Sequence, residues 1–309
     1  MIMRWLLLGV LAFGVAGVQA YDLEPETVAD GVWVFEGAQE HFTRANQGNI
    51  VNTGFIVTGA GVIVVDTGPS ARYGEAMREA IGEVTAEPVV AVYITHHHPD
   101  HFLGNVAFSD VPIVALPHTI AAIERDGDAL TDNMYRMVGG AMHGTEPLKP
   151  EQEAIPDTYT FGGRELEFIA ARGHSGHAAT DLMILDHTAG VLFAGDVVFH
   201  DRAPTTPHAD LHAWIKQLDA VAELPFSILV PGHGPVAHGT GPVMQTRDYL
   251  HWLDERLTEA AEDGLHAAEV MQLPISAAFR DMAVVDEEYK RSVDHLYGER
   301  KHRHLSTME

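Results

Sequence analysis

The run Thr95-His96-His97-His98-Pro99-Asp100-His101 gathers four possible metal-binding heads into one short turn. Before it, Pro88 to Thr95 is apolar and rich in β-branched residues, the pattern of a buried strand. Side chains alternate along a strand, so His96 and His98 can share a direction while His97 points elsewhere. Pro99 stops the strand, and Asp100 and His101 can then face a second point about one metal–metal distance away. Imidazole nitrogen and carboxylate oxygen are the ligands that Zn²⁺ takes in hydrolytic sites. Any one of the 20 histidines could be ordinary surface, but H-x-H-x-D-H spacing at a strand end is far more specific.

Three later segments also put a polar head beside an apolar strand. Gly173-His-Ser-Gly-His177 falls between apolar runs at 165–170 and 181–186, Leu192-Phe-Ala-Gly-Asp196 ends in a carboxylate, and His233 sits between Gly232 and Gly234. Added to the first cluster, they supply enough nitrogen and oxygen for two metals, with an oxygen to bridge them. Asp66-Thr-Gly looks like an aspartic-protease signature, but that chemistry needs two carboxylates sharing a proton. No second Asp-Thr/Ser-Gly is present, so Asp66 reads as a carboxylate that orients a ligand histidine.

The elements that must carry these residues follow from their patterns. Strands are expected at 32–36, 49–58 and 61–66, the last two joined as a hairpin at Gly59-Ala-Gly61. Ser70 is placed to cap a helix through about Ile81. A short helix over 100–108, a strand at 112–115 and a helix over 119–137 follow, then a long loop from Gly139 to Pro156. Further strands are expected at 157–161, 165–170, 181–186, 190–195 and 227–231. Asp210 is placed to cap a helix bearing Leu211, Trp214, Ile215, Leu218 and Val221, and the chain ends in a helical section from about 243. Two β-rich layers covered by helices suit this order better than a doubly wound parallel sheet.

Composition narrows the partners. With 19 basic and 44 acidic residues the chain carries a formal charge of −25 over 309 residues, which disfavours nucleic acid and leaves a small molecule as the expected partner. There is no cysteine, hence no thiolate ligand, cysteine nucleophile or disulfide. Residues 1–20 combine Arg4, an apolar run and Val18/Ala20 before a cleavage point, the pattern of a secretory signal peptide. The expected organisation is a signal peptide over 1–20 and one domain over 21–309, in the periplasm, with no membrane span after cleavage.

The ordered set Gly61 to Gly68, His96/His98/Asp100/His101, a glycine-flanked histidine, Gly195-Asp196 and Pro231-Gly-His233-Gly resembles the metallo-β-lactamase superfamily over most of the chain. The resemblance implies a four-layer αββα sandwich and two Zn²⁺ ions. His96, His98 and one later histidine would hold the first, Asp100, His101 and His233 the second, and Asp196 would bridge. Counting back from Asp181 by the family pattern selects His177, whereas counting forward from Leu166 selects His174. The spacing to Asp196 favours His177, leaving His174 to line the pocket. Tyr21 to Pro25, Asn46 to Thr58, Thr95 to Gly104 and His200 to Asp210 further resemble the exported zinc metallohydrolases of quinoprotein relay systems, which implies a link to a periplasmic quinoprotein dehydrogenase.

The chemistry so implied is attack by zinc-activated water on an ester, thioester or amide/lactam bond, with Asp100 orienting the nucleophile. Selectivity would come from 39–47, 139–156 and 200–208, with Arg44 and Arg202 as partners for an anionic substrate. Two other readings remain: a non-enzymatic periplasmic zinc-binding or maturation factor, and an iron-dependent dioxygenase on the same fold.

Overall fold

Val62-Ile-Val-Val65 is buried at every position, because its two faces meet two different layers. Val62 and Val64 pack with Phe55, Tyr73 and Met77, whereas Ile63 and Val65 pack with Leu182, Ile184 and Phe193. The same alternation recurs at Leu192 and Phe193, which turn to opposite sides. Two sheets therefore lie face to face, each covered outside by helices: an αββα sandwich.

The computed structural model describes residues 21–307; the expected signal peptide lies outside them. β1 (Glu26–Ala29), β2 (Val32–Phe35), β3 (Thr53–Val57), β4 (Val62–Val65), β5 (Val89–Ile94), β6 (Ile113–Ala115) and β7 (Gln152–Glu153) form the first sheet, in chain order. Its pairings are antiparallel as far as β4 and parallel thereafter. Helix α1 (Ala71–Val84) follows β4, α2 (Pro99–Phe102) follows β5, and α3 (Pro117–Val138) follows β6. The Ser70 side chain caps α1 by accepting from Tyr73 N at 3.2 Å.

The second sheet contains β8 (Thr158–Phe161), β9 (Arg164–Gly173), β10 (Gly176–Asp186), β11 (Val191–Phe199), β12 (Ile228–His233) and β13 (Ala237–His238), in the order β13-β12-β11-β10-β9-β8. Only β11 and β12 pair in parallel. α4 (Leu211–Val221), capped by Asp210, connects them, and α5 (Gly241–Glu262), α6 (Ala267–Val270) and α7 (Val285–Thr307) close the chain. α4, α5 and α7 cover the outer face through Trp214, Leu250, Leu253 and Tyr289. No helix among the described residues is long and apolar enough to cross a membrane.

Several elements depart from expectation. The helix expected over 100–108 is broken into α2 and a 3₁₀ turn at Asn105–Phe108. Gly139 to Pro156 is not all loop: a 3₁₀ turn over Gly139–Met142 and the edge strand β7 lie within it. β1 and β13 were not expected, being short, partly exposed and weakly patterned.

At one end of the sandwich the sheets are joined by hydrogen bonds. Asn52 Nδ2 donates to Pro231 O at 2.9 Å and to Gly234 O at 2.7 Å, and Leu182 N donates to Thr95 O at 2.8 Å. The histidine cluster leaves β5 at this end.

Candidate metal centre

β5 ends at Ile94, and the backbone of the next residues carries His96 and His98 toward Asp196. His96 Nε2 and His98 Nδ1 stand 3.6 and 3.7 Å from Asp196 Oδ2. Pro99 opens α2, a favoured first helical residue. Its single turn directs Asp100 and His101 to the other side of the same carboxylate. His101 Nε2 is 3.2 Å and His233 Nε2 3.4 Å from Asp196 Oδ1, and Asp100 Oδ2 lies 3.4 Å from His233 Nε2. His97 turns away, its ring centroid 5.8 Å from that of His208.

Asp196 does not follow its strand, as expected, but stands within β11. Pairing with β12 shifts register on both sides of Gly195, which has φ +51. The bulge re-aims the following carboxylate into the seam between the sheets. β12 extends through His233, so that histidine ends a strand rather than occupying a turn beyond it.

The third head beside His96 and His98 is His174. It sits in the hairpin between β9 and β10, where Gly173 (φ +109) and Gly176 (φ +118) supply a turn that L side chains rarely adopt. His174 Nδ1 is held by Asp181 Oδ2 at 2.6 Å, and its Nε2 lies 3.7 Å from Asp196 Oδ2. Trp214 stacks edge-on against the ring, with centroids 4.9 Å apart. Among the described residues the tight turn brings His174 to Asp196, the place for which the spacing favours His177. His177 belongs to β10, and its side chain lies outside the described residues.

These heads fit a pair of divalent ions. Among the described residues, His96 Nε2, His101 Nε2, His174 Nε2 and Asp196 Oδ1 are buried without any hydrogen-bond partner, a costly state unless a cation completes it. A tetrahedral ion with bonds of about 2.0–2.1 Å separates its ligand atoms by about 3.3–3.4 Å. The distances around Asp196 Oδ2, 3.6–3.7 Å, lie within a few tenths of an ångström of that. His96, His98, His174 and Asp196 form one group able to hold a metal, and Asp100, His101 and His233 another. Since the two Asp196 oxygens face different groups, this side chain can bridge them.

For His96, His101, His174 and His233 the opposite ring nitrogen is held, which sets the orientation of those imidazoles. His101 Nδ1 meets Asp66 Oδ2 at 2.7 Å, His233 Nδ1 meets Ile50 O at 2.7 Å, and His96 Nδ1 meets Thr95 Oγ1 at 3.0 Å. Asp66 itself has φ +59, rare for a non-glycine, and accepts from Thr95 N and Thr95 Oγ1, both at 2.8 Å. Burial pushes the Asp66 carboxyl up and the His96 imidazole well down. Burial also opposes charge on His101 and Asp196. The Asp196, Asp66 and Asp100 carboxylates nevertheless hold His101 well above its usual range, and His233, His101 and His96 hold Asp196 well below its own. Such crowding of anionic and imidazole groups out of water suits a bound cation.

A cavity of about 350 Å³ opens onto Asp100, Asp196, His98 and His233. Arg202, 2% exposed, lines it; Arg44 is exposed, near Gly139, and is not part of that lining. Segments 39–47 and 200–208 contribute to its wall, but 139–156 does not; α3 and α7 do instead. Sequence reading missed Thr95 and Asp181 as partners of ligand histidines, and Glu288 on α7 as part of the wall. The position of Asp181, four residues beyond His177, was the available signal for it. Glu288 gave none.

Residues 47–233 match the family model described as metallo-beta-lactamase superfamily. Among curated proteins, the chain is 28% identical over 187 residues to a beta-lactamase-like protein 2 homolog of Caenorhabditis elegans, covering 60% of this chain. It is 25% identical over 259 residues to a linear primary-alkylsulfatase of Pseudomonas sp., covering 69% of this chain. The aligned parts are 56% and 47% of those two relatives, so the chain spans about half the length of each. A solved metallo-beta-lactamase from Pontibacter korlensis superposes with a TM-score of 0.59 at 23% identity, over 74% of this chain and 99% of that one. A sec-alkyl sulfatase double mutant superposes with a TM-score of 0.65 at 19% identity, over 89% and 50%. Both structural likenesses concern the fold.

Proposed function

The chain belongs to the metallo-beta-lactamase superfamily, and on that premise we propose that it is a dinuclear zinc hydrolase acting on an ester, thioester or lactam bond of a small molecule. One observation carries the reading: the two oxygens of Asp196 face separate groups, His96/His98/His174 and His101/His233 with Asp100, in which the Nε2 atoms of His96, His174 and His101 are buried with no hydrogen-bond partner among the described residues. His96, His98 and His174 would hold the first ion, Asp100, His101 and His233 the second, and Asp196 both. Bound there, two zinc ions supply Lewis acidity and lower the pKa of water from about 15.7 toward about 7.

The chain's own residues do the rest. Asp100, on the first turn of α2 and facing the cavity, accepts a hydrogen bond from the attacking water and orients it. Asp66, Asp181 and the Ile50 carbonyl keep His101, His174 and His233 in one tautomer, so their free nitrogens stay directed inward. Residues 1–20 support a periplasmic location, and the resemblance of 200–210 and other segments supports service beside a quinoprotein dehydrogenase.

The test is elemental analysis of purified protein together with a panel of esters, thioesters and lactams, run beside Asp100→Asn. Two zinc ions per chain and hydrolysis lost in the variant are expected. One iron per chain with oxygen consumption would replace this reading by a dioxygenase. Two zincs without hydrolysis of any panel member would favour a zinc-binding maturation factor.

A further inference from the structure

Glu288 is fully buried, yet among the described residues neither carboxylate oxygen has a hydrogen-bond partner. Arg291 lies 3.5 Å away, His41 3.7 Å and Arg202 4.0 Å. Arg202 Nε and His41 Nε2 are likewise buried and without partners, and all four residues line the cavity that opens onto Asp100 and Asp196. Buried polar atoms left unsatisfied in a pocket wall mark a place where a ligand supplies the missing bonds. Acceptor and donor stand side by side here.

The arrangement is held from outside. Val284, β-branched, takes φ 53 just before α7, a conformation that persists only where its surroundings enforce it. Ala203 N donates to Ala283 O at 3.0 Å, Ala283 N to Asp201 O at 2.8 Å, and Thr206 Oγ1 to Ser292 Oγ at 2.7 Å. These bonds dock the start of α7 onto the segment bearing Arg202, which brings Glu288 to the guanidinium.

Arg202 alone would attract an anion. With Glu288 beside it, and Glu287 and Arg291 also in the lining, the wall holds two arginines against two glutamates. A hydroxyl satisfies both members of the central pair, donating to Glu288 and accepting from Arg202. A carboxylate or sulfate satisfies Arg202 but meets Glu288 with like charge. The cavity also presents Phe42, Ile50, Leu130 and Met137, surfaces for an apolar stem.

We propose that Arg202 and Glu288 form a polar subsite that selects substrates bearing a neutral hydroxyl at the end of an apolar stem, and that Glu288 excludes anionic ones. The substrate class rests on the hydrolase reading above; the subsite itself does not. Two probes differ only at the chain end: the p-nitrophenyl ester of ω-hydroxyhexanoic acid and the mono-p-nitrophenyl ester of adipic acid. Zinc-loaded wild type should favour the hydroxy ester by about tenfold or more in kcat/KM, chiefly through KM. Glu288→Gln should reverse the preference, the anionic ester gaining about a hundredfold. Calorimetric titration with the corresponding ω-hydroxyamide and half-amide should give the same reversal in Kd. Arg202→Gln, a second variant should Glu288→Gln not fold, should lose hydroxyl binding without gaining anion binding. An unchanged ratio in Glu288→Gln, or improved anion binding in Arg202→Gln, overturns the subsite. Reversal in Kd with no turnover of either ester leaves the subsite standing and overturns the hydrolase reading instead.

Discussion

Asp66→Asn removes one charge and keeps the shape of the side chain, so it isolates what that carboxylate does for His101. In the native protein Asp66 accepts from Thr95 N and Thr95 Oγ1, both at 2.8 Å, and faces His101 Nδ1 at 2.7 Å. An asparagine has one carbonyl oxygen and cannot accept all three. With that oxygen on Thr95 N, its amide N–H₂ faces His101 Nδ1 and drives the imidazole proton to Nε2. That nitrogen stands 3.2 Å from Asp196 Oδ1 and must be unprotonated to bind a metal. Loss of such a partner lowers metal affinity by about 10–100-fold, equivalent to about 1.4–2.8 kcal/mol. The first group should be affected less, because His96 Nδ1 contacts Thr95 Oγ1 and not Asp66 directly. Metal-free stability should change by only about 1–2 kcal/mol, since losing the hydrogen bonds is offset by no longer burying the charge. Competition for zinc against a chromophoric chelator resolves the two equivalents, and urea unfolding of metal-free protein supplies the control. Native affinity for both equivalents would refute this role of Asp66.

Three further outcomes follow from the same geometry. His174→Ala should abolish one zinc equivalent by elemental analysis whereas His177→Ala should keep both; the reverse pattern would restore the sequence preference. Gly232→Ala needs no unusual φ, but its Cβ would land on Asp196 Oδ1, so chelator competition should show zinc affinity down by about tenfold or more, with far-UV circular dichroism unchanged. Burial, with help from His98 and His208, pushes His97 down to about 2, so below pH 6.5 the unfolded chain takes up a proton that the folded chain refuses. The stability present above pH 6.5 is therefore lost as pH falls toward that folded value, by about 2 kcal/mol at pH 5. Urea midpoints for His97→Gln should show a correspondingly flatter pH dependence; an identical slope would contradict this.

The candidate metal centre was legible in the sequence wherever a potential ligand and its strand shared a pattern. His96 and His98 could be paired because side-chain direction alternates along β5, and Pro99 announced the change of direction that sends Asp100 and His101 to the other Asp196 oxygen. The approach of His174 to Asp196 was not legible by counting, because a glycine turn and the Asp181 contact produce it in three dimensions. The bulge at Gly195 was hidden for a similar reason: register depends on the partner strand. β1, β7 and β13, each of two to four residues, carry too little alternation to stand out. Arg202 and Arg44 looked equivalent along the chain. Only the docking of α7 separates a buried guanidinium paired with Glu288 from an exposed one.

The ligand heads lie on both sides of the seam between the sheets. His96, His98, Asp100 and His101 follow β5 of the first sheet, while His174, Asp196 and His233 come from the second. Asn52 and Thr95 contribute hydrogen bonds across that seam, but the chain has no cysteine with which to lock it covalently. An ion shared by both sheets, as proposed above, would act as a reversible cross-link, tethering points far apart in sequence in the folded state. On the proposed reading, loss of metal would unfasten the two halves of the molecule, and resistance to proteolysis would become a measure of metal occupancy.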